Sequence, residues 1–289
     1  SPKITVIRYR RPKYACHSCE GSGDEEHPAV RIAPPARSLI PGGLATDGTL
    51  AYVVTAKFCD ALPLYRQEQQ FARLGADISR QTLADWVLAA AEAVEPVWQA
   101  LGDFLRSGPV LLADETRVQV LREAGRANSS QSWMWCTYGG EPEHPGVMFY
   151  YSQSRSAETA ETVIGDYTGL FKADGYKAYA TLTDRRTDLR RAGCFAHARR
   201  YFHEAATGTA KSGAAREALA YIAKLYRIEK ELVDGERDKT FAATRRARAG
   251  PVLEQFNAWL SKKAATVPPS SALGKAVGYT LEQWPALVR

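Results

Sequence analysis

The stretch that decides the fold is residues 109–120, PVLLADETRVQV, in which an apolar run stops at an acidic pair. The apolar residues 110–112 predict a short buried strand, and Asp114 and Glu115 come directly after its core. A buried strand rarely carries an acid unless that acid is paired or holds a metal ion. This stretch therefore predicts a strand that carries a functional carboxylate, Asp114.

A second stretch, residues 169–180 (GLFKADGYKAYA), repeats this pattern further along the chain. Leu170 and Phe171 lead into Asp174, and a glycine follows at once. Two strands that each end in an aspartate can place both carboxylates at one edge of a sheet. Carboxylate pairs of this kind hold divalent cations such as Mg²⁺ in phosphoryl-transfer enzymes. The alternative is that both aspartates are ordinary acids that cap helices or face water.

The residues around these two stretches predict more strands and helices. Strands rich in aromatic residues are predicted at 132–138 and 147–151, then a helix at 156–167. A fifth strand is predicted at 190–195, and it leads into another helix. The resulting order, β-β-β-α-β-(α)-β-α, is that of an RNase H-like core, in which the first and fourth strands are neighbours and carry the metal-binding acids.

This order predicts an α/β (α+β) protein of several regions. The regions are a zinc-ribbon remnant (1–30), a linker (31–45), a helical DNA-binding region (46–107), the RNase H-like core (108–205), and a helical insertion or C-terminal region (206–289).

The N-terminal region ends in a Cys-x-x-Cys pair, Cys16 and Cys19. Such a pair is half of a four-ligand Zn²⁺ site, and a second pair upstream of Ser1 would complete it. The alternative is that the pair binds no metal. Ile4 and Val6 alternate with polar residues nearby, which is typical of a short strand. The five cysteines are odd in number and scattered, which argues against a disulfide framework.

Three helices are predicted between the linker and the first acidic strand, at 46–58, 63–74 and 79–106. Ser79 is the expected N-cap of the third helix, and Gly75 ends the second. Helix, glycine-centred turn and serine-capped helix form the outline of a helix-turn-helix that reads DNA. Ordinary helical hairpins have the same outline, so this interpretation has a plain structural alternative.

The composition gives weaker indications of a partner and a compartment. The chain has 38 Lys and Arg against 32 Asp and Glu, a net charge of +6, which only weakly favours a polyanionic partner. No apolar run approaches the roughly 18 residues that a membrane span needs. We therefore expect a soluble, cytoplasmic protein without a membrane partner.

Seven stretches resemble one family in its order, the DDE transposases of the insertion-sequence sixty-six type. They are RPKYACHSC (11–19), LPLYRQEQQFARLGADISRQTLADWV (62–87), LLADETRVQVL (111–121), FYYSQSRSAETA (149–160), FKADGYKAY (171–179), GCFAHARRYF (193–202) and LYRIEKEL (225–232). Because the stretches are spread over most of the chain, the resemblance is specific.

The resemblance implies that Asp114 and Asp174 are the first two metal-binding acids of a bacterial transposase. Two Mg²⁺ or Mn²⁺ ions would serve two phosphoryl transfers. Water would free a 3′-hydroxyl at the transposon end, and that hydroxyl would attack target DNA. The implied partners are the transposon ends, the target DNA, further copies of the chain and companion proteins of the same element. The implied location is the bacterial cytoplasm, with association to the nucleoid when the protein is bound to DNA.

The third acid has two candidate placements by this resemblance. One is Glu229, an acid in a predicted helix, and the other is a glutamate beyond Arg289. The structural alternative for Glu229 is an exposed helix face with charged neighbours at helical spacing, namely Lys224, Arg227, Lys230 and Glu231.

Basic residues near the expected scissile phosphate are candidates for binding DNA. His197, Arg199 and Arg200 follow the fifth strand, and Arg155 is a weaker candidate. The structural alternative is a basic helix surface. Trp133 and Trp135 share one strand face and are expected to pack in the core, not to stack on bases.

Two other functions are compatible with the same residues. An RNase H-like nuclease that cuts without strand transfer would use the same acids. An inactive, DNA-binding remnant of a transposase would keep the fold without the chemistry.

Overall fold

The computed structural model of the protein describes residues 3–15, 30–207, 213–233 and 241–289. The chain divides into two compact units, residues 1–99 and residues 100–289. The predicted zinc ligands Cys16 and Cys19 lie outside the described residues. Within the described ranges, no helix is both long enough and apolar enough to cross a membrane.

The first unit combines an antiparallel strand pair with helices. Its elements are β1 (Lys13–Ala15), β2 (Val30–Ile32), α1 (Asp47–Phe58), α2 (Leu64–Arg73) and most of α3 (Arg80–Ser107). The hydroxyls of Thr46 and Ser79 accept hydrogen bonds from backbone N–H groups in the first turns of α1 and α3. The apolar faces of the three helices enclose Leu50, Val53, Phe71, Leu83 and Trp86. The three predicted helices are thus confirmed.

The strand predicted around Ile4 and Val6 is wrong. The chain there is neither helix nor strand, and the strand β1 comes later, at Lys13–Ala15, where it pairs with β2. Ile4 and Val6 are exposed, so their alternation with polar residues buries nothing, whereas β1 forms where β2 pairs with it.

The second unit is built on a five-stranded mixed sheet in the order β5-β4-β3-β6-β7. Its strands are β3 (Val110–Gln119), β4 (Gln131–Gly139), β5 (Gly146–Ser152), β6 (Gly169–Lys172) and β7 (Leu189–Ala192). Strands β3, β4 and β5 pair antiparallel, whereas β6 is parallel to both β3 and β7. The first and fourth strands of the predicted core, β3 and β6, are therefore neighbours, as predicted.

One face of this sheet is covered by helices α4 (Ala157–Ile164) and α5 (Lys177–Arg185) and by the end of α3. Every second residue of a strand points to the same face, so Leu111 and Ala113 of β3 enter this core. Trp135 is fully buried in it and Trp133 packs against it, so the predicted core position of the two tryptophans is confirmed. The same alternation puts Asp114 on the opposite face.

After the sheet, most of the described residues are helical. The helices are α6 (Phe195–Thr207), α7 (Gly213–Val233), α8 (Phe241–Ala264), α9 (Ala272–Glu282) and α10 (Trp284–Leu287). They share a second core of Phe202, Ile222, Phe256, Leu260 and Val277. The helical character predicted for residues 206–289 is confirmed in α7 to α10, whereas the described residues 265–271, between α8 and α9, form turns.

The fifth strand is shorter than predicted. It ends at Ala192, and α6 begins at Phe195, so the predicted strand at 190–195 is wrong at its end. The backbone N–H of Gly193 donates to the carbonyl of Ala286, 2.7 Å away, instead of continuing the sheet. A Cβ atom on Gly193 would lie 3.0 Å from Leu287, so glycine allows this close approach of two backbone segments.

Candidate metal centre

The candidate site lies where β3 and β6 run side by side. Their parallel pairing ends with Leu112 opposite Lys172, and Asp114 and Asp174 each follow two residues later. Because side chains alternate along a strand, equivalent positions on neighbouring parallel strands lie on one face. Asp114 lies within β3, whereas Asp174 lies just beyond the end of β6. The prediction that each acid ends its strand therefore holds for Asp174 alone.

The loop that carries Asp174 is fixed from both sides. The backbone N–H of Tyr176 donates to Oδ1 of Asp174 at 2.9 Å, and the N–H of Gly175 donates to the hydroxyl of Tyr279 at 3.1 Å. A Cβ atom on Gly175 would lie 2.7 Å from the side chain of Gln283, so only glycine fits there without a shift. Asp174 is thus held in place by the backbone of its own loop and by α9.

His197 joins the two aspartates from the first turns of α6. Its Nε2 lies 4.0 Å from Oδ2 of Asp114. One ligand atom from each of Asp114, Asp174 and His197 lies within 4.8 Å of the other two. Carboxylate oxygens suit Mg²⁺ and Mn²⁺, and an imidazole nitrogen is a ligand that transition metals accept readily. The donor set therefore fits a divalent cation.

A small cavity of about 220 Å³ opens in front of these three residues. Two cysteines also line it, Cys136 and Cys194. Burial alone would raise the pKa of the Cys194 thiol, but hydrogen bonds from His197 and from the backbone of α6 lower it to about 7. The hydrogen bond between these side chains also raises the pKa of His197, against the effect of its burial. Burial and the charge of Asp114 raise the pKa of Cys136.

Arg155 lies on the core side of the sheet, in contact with Glu115. Its guanidinium donates to Oε1 of Glu115 through Nε, at 2.6 Å, and it also forms an ion pair with that oxygen through Nη2. The side chain of Arg155 is 27% exposed, and that of Glu115 is fully buried. The sequence makes Arg155 a candidate for binding DNA, but its guanidinium instead forms an ion pair with Glu115 inside the protein.

Glu115 is the residue of this region that sequence reasoning missed. A signal was present, because Glu115 follows Leu111 and Ala113 at alternate positions of β3 and so shares their core-facing side. A carboxylate at a core position needs partners. In the sequence, however, the partner Arg155 is forty residues away and has no pattern that marks it.

The other candidate residues are not members of the three-residue group. Arg199 and Arg200 are exposed on α6. Glu229, on α7, forms an ion pair with Arg245 of α8 at 2.6 Å. Among the described residues, it does not belong to the cluster of potential metal ligands formed by Asp114, Asp174 and His197. Glu229 lines a different cavity of about 840 Å³ between the sheet and the helices, and Lys172 lines both cavities.

Comparisons with known proteins identify the family of the chain. The sequence model of the family described as "Transposase IS66 family" matches residues 42–289. An uncharacterized protein of Sinorhizobium fredii, y4jD, is 37% identical over 294 residues, which cover 98% of this chain and 56% of that protein. A second uncharacterized protein of the same organism, y4qI, is 30% identical over 301 residues, covering 100% of this chain and 53% of that protein.

The chain spans about half the length of the curated relatives it matches. The family model covers the helices α1 to α3, the whole five-stranded sheet and the helices that follow it. Both aspartates of the candidate site lie inside the matched range. On this evidence, the chain belongs to the IS66 family of transposases.

Proposed function

We propose that this chain is the catalytic region of a transposase that cuts and joins DNA strands with divalent ions held by Asp114 and Asp174. The observation that carries the proposal is the matching placement of Asp114 in β3 and Asp174 just beyond the parallel strand β6, with His197 beside them. A single aspartate at a strand end would be unremarkable. Two at matching positions, facing one cavity, form a site that can hold a cation.

The architecture supports an RNase H-like core for this region. Three antiparallel strands are followed by two parallel ones, and the strand that carries Asp114 is central in the order β5-β4-β3-β6-β7. Helices α4 and α5 cover one face of the sheet, which leaves the carboxylate of Asp114 on the other. A DNA backbone can reach that face because the Asp114 side chain is 62% exposed.

The residues of the site have distinct roles in this proposal. Divalent ions, when bound, supply an activated attacking oxygen and stabilise the leaving oxygen. Asp114 and Asp174 would hold the ions, and His197 would contact the scissile phosphate from the side of α6. Arg199 and Arg200, on the exposed surface of the same helix, bind neighbouring phosphates. The strand that leaves with a 3′-hydroxyl then becomes the nucleophile toward target DNA.

The geometry favours one of the two placements of the third acid. Glu229 would have to leave its ion pair with Arg245 and move toward Asp114 from another cavity. This ion pair supports the other placement, a glutamate beyond Arg289. We therefore place the third acid after Arg289 in the full-length protein.

The partners in this proposal are the transposon ends and the target DNA. The helices α1 to α3 have a helix-turn-helix outline in which Arg80 and Gln81 are exposed on the third helix. Zn²⁺ at Cys16 and Cys19, with upstream ligands, would belong to the separate zinc-ribbon region before the linker. The other proposed partners are further copies of the chain, assembled on DNA, and companion proteins of the element.

The metal site can be tested by Mn²⁺ binding, followed by electron paramagnetic resonance on the full-length protein. We expect the wild type to bind Mn²⁺, and Asp114→Asn and Asp174→Asn each to lose that binding, because a neutral amide is a poor ligand for a hard cation. Asp184→Asn, an exposed acid on α5, is the matched control. Equal Mn²⁺ binding by all four proteins would contradict the site.

The reaction can be tested with a DNA duplex that carries the element's own ends. A transposase yields both cleaved ends and ends joined to target DNA. A nuclease without strand transfer yields only the first product, so the two products separate these functions.

A further inference from the structure

We propose that Glu115, Arg155 and Tyr176 form a positioning network that holds the Asp174 loop beside Asp114 from the core side of the sheet. The inference rests on the proposed metal site and assigns these three residues a role in its geometry. Glu115 is covalently next to Asp114, and Tyr176 is hydrogen-bonded to Asp174. Arg155 contacts both Glu115 and Tyr176, so a continuous chain of contacts connects Asp114 to Asp174.

The first link is the buried carboxylate of Glu115. Its Oε1 accepts from Arg155, and its Oε2 accepts from the hydroxyl of Tyr179 at 2.5 Å. Burial raises the pKa of Glu115, and the hydrogen bonds from Tyr179 and Arg155 counteract this. Because a buried charge is costly unless it is paired and hydrogen-bonded, Glu115 holds its partners firmly in one arrangement.

The second link is the guanidinium of Arg155, which is packed between aromatic rings. Its central carbon lies 3.5 Å from the ring centroid of Tyr176 and 4.8 Å from that of Trp133. The hydroxyl of Tyr176 also donates to the backbone carbonyl of Arg155, at 2.7 Å. Arg155 thus contacts Tyr176 through both its side chain and its backbone, and Glu115 fixes its far end.

The third link is Tyr176 itself, which reaches the acid through its backbone. Its N–H donates to Oδ1 of Asp174 at 2.9 Å while its ring packs on Arg155. A shift of the ring therefore moves the donor that orients the carboxylate of Asp174. Groups that orient metal ligands in this way set metal affinity without touching the ion.

This arrangement explains why an arginine and a glutamate lie within the core at this end of the sheet. Asp174 lies beyond the last residue of β6, so the ladder of β3 and β6 does not reach it. Beyond the last paired residues of β3 and β6, the network connects the loop of Asp174 to β3. If these three residues only stabilised the fold, their substitution would leave the Mn²⁺ affinity of the folded protein unchanged.

The test compares Mn²⁺ dissociation constants of the full-length wild type, Glu115→Gln, Arg155→Lys and Tyr176→Phe, measured at a temperature where each is folded. We expect Mn²⁺ to bind about tenfold more weakly to Glu115→Gln and Arg155→Lys, and more weakly by a smaller factor to Tyr176→Phe. The matched control is Tyr167→Phe, because the Tyr167 hydroxyl also donates inside the core, to Leu170 at 2.7 Å, but does not contact the Asp174 loop.

The possible results distinguish a failure of the proposed network from a failure of the proposed metal site. Wild-type affinity in Tyr176→Phe and in every folded variant of Glu115 and Arg155 would overturn the network and leave the metal site standing. An equal loss of affinity in Tyr167→Phe would overturn it too, since general destabilisation would then explain the effect. A wild type that does not bind Mn²⁺ would overturn the proposed metal site, and the network with it.

Discussion

Asp114 and Glu115 are consecutive residues of β3 whose carboxylates lie on opposite faces of the sheet. The side chain of Asp114 is 62% exposed and faces the cavity, whereas that of Glu115 is fully buried among core residues. Strand alternation alone produces this division. The two acids should therefore respond in opposite ways to removal of their charge.

We expect Asp114→Asn to be as stable as the wild type and Glu115→Gln to be less stable. Without metal, Asp114→Asn relieves repulsion from Asp174, so its free energy of unfolding should be unchanged or slightly higher. Glu115→Gln weakens the buried contacts with Arg155 and Tyr179, and about 1–3 kcal/mol of stability should be lost. Urea unfolding in a chelating buffer measures both, and equal losses would contradict the assignment of faces.

Neutralising Glu229 should have little effect in the full-length protein. Its carboxylate pairs with Arg245 on a partly exposed helix surface, so Glu229→Gln should cost less than about 1 kcal/mol and leave DNA cleavage near the wild-type rate. Glu231→Gln, which breaks a similar pair with Arg248, is the matched control. A specific loss of cleavage in Glu229→Gln would make Glu229 the third acid after all.

If Arg199 and Arg200 bind DNA, their substitution should change how the DNA affinity depends on salt concentration. If each arginine contacts one phosphate, Arg199→Ala and Arg200→Ala should each weaken binding and reduce the slope of log affinity against log salt by about 1. Arg248→Ala removes an arginine that is paired with Glu231, so its slope should stay close to that of the wild type. Identical slopes in all variants would exclude these arginines from the DNA interface.

Cys194 should react with iodoacetamide at neutral pH much faster than Cys136, which lines the same cavity. Because the pKa of Cys194 is about 7, roughly half of it is thiolate at pH 7, whereas the pKa of Cys136 is raised above its ordinary value. The alkylation rate of Cys194 should rise up to about pH 8 and then level off. His197→Gln should move this rise to higher pH, and a rate that keeps climbing to pH 9 in the wild type would contradict the lowered pKa.

The strands and their carboxylates were predictable because local patterns specify them. The apolar runs before Asp114 and Asp174 mark buried strands, and their order along the chain predicts that β3 and β6 are neighbours. The helix cap at Ser79 could be predicted from a single residue for the same reason. These features depend on residues close together in the sequence.

Features that depend on distant residues could not be predicted. The pairing of Glu115 with Arg155 spans forty residues, and the partner of Glu229 is Arg245 on α8 instead of a neighbour on its own helix. The end of β7 depends on contacts of Gly193 with Ala286 and Leu287 near the other end of the chain. No local pattern carries this information, since tertiary packing selects these partners.

The most direct test of the central claim is Mg²⁺-dependent cleavage of a duplex with the element's own ends by the full-length protein and its Asp114→Asn variant. The substitution keeps the shape of the side chain but removes an anionic ligand that a hard cation requires. We predict cleavage by the wild type and none by Asp114→Asn, with both proteins equally folded and equally bound to DNA. Cleavage by Asp114→Asn at the wild-type rate would contradict the proposed site.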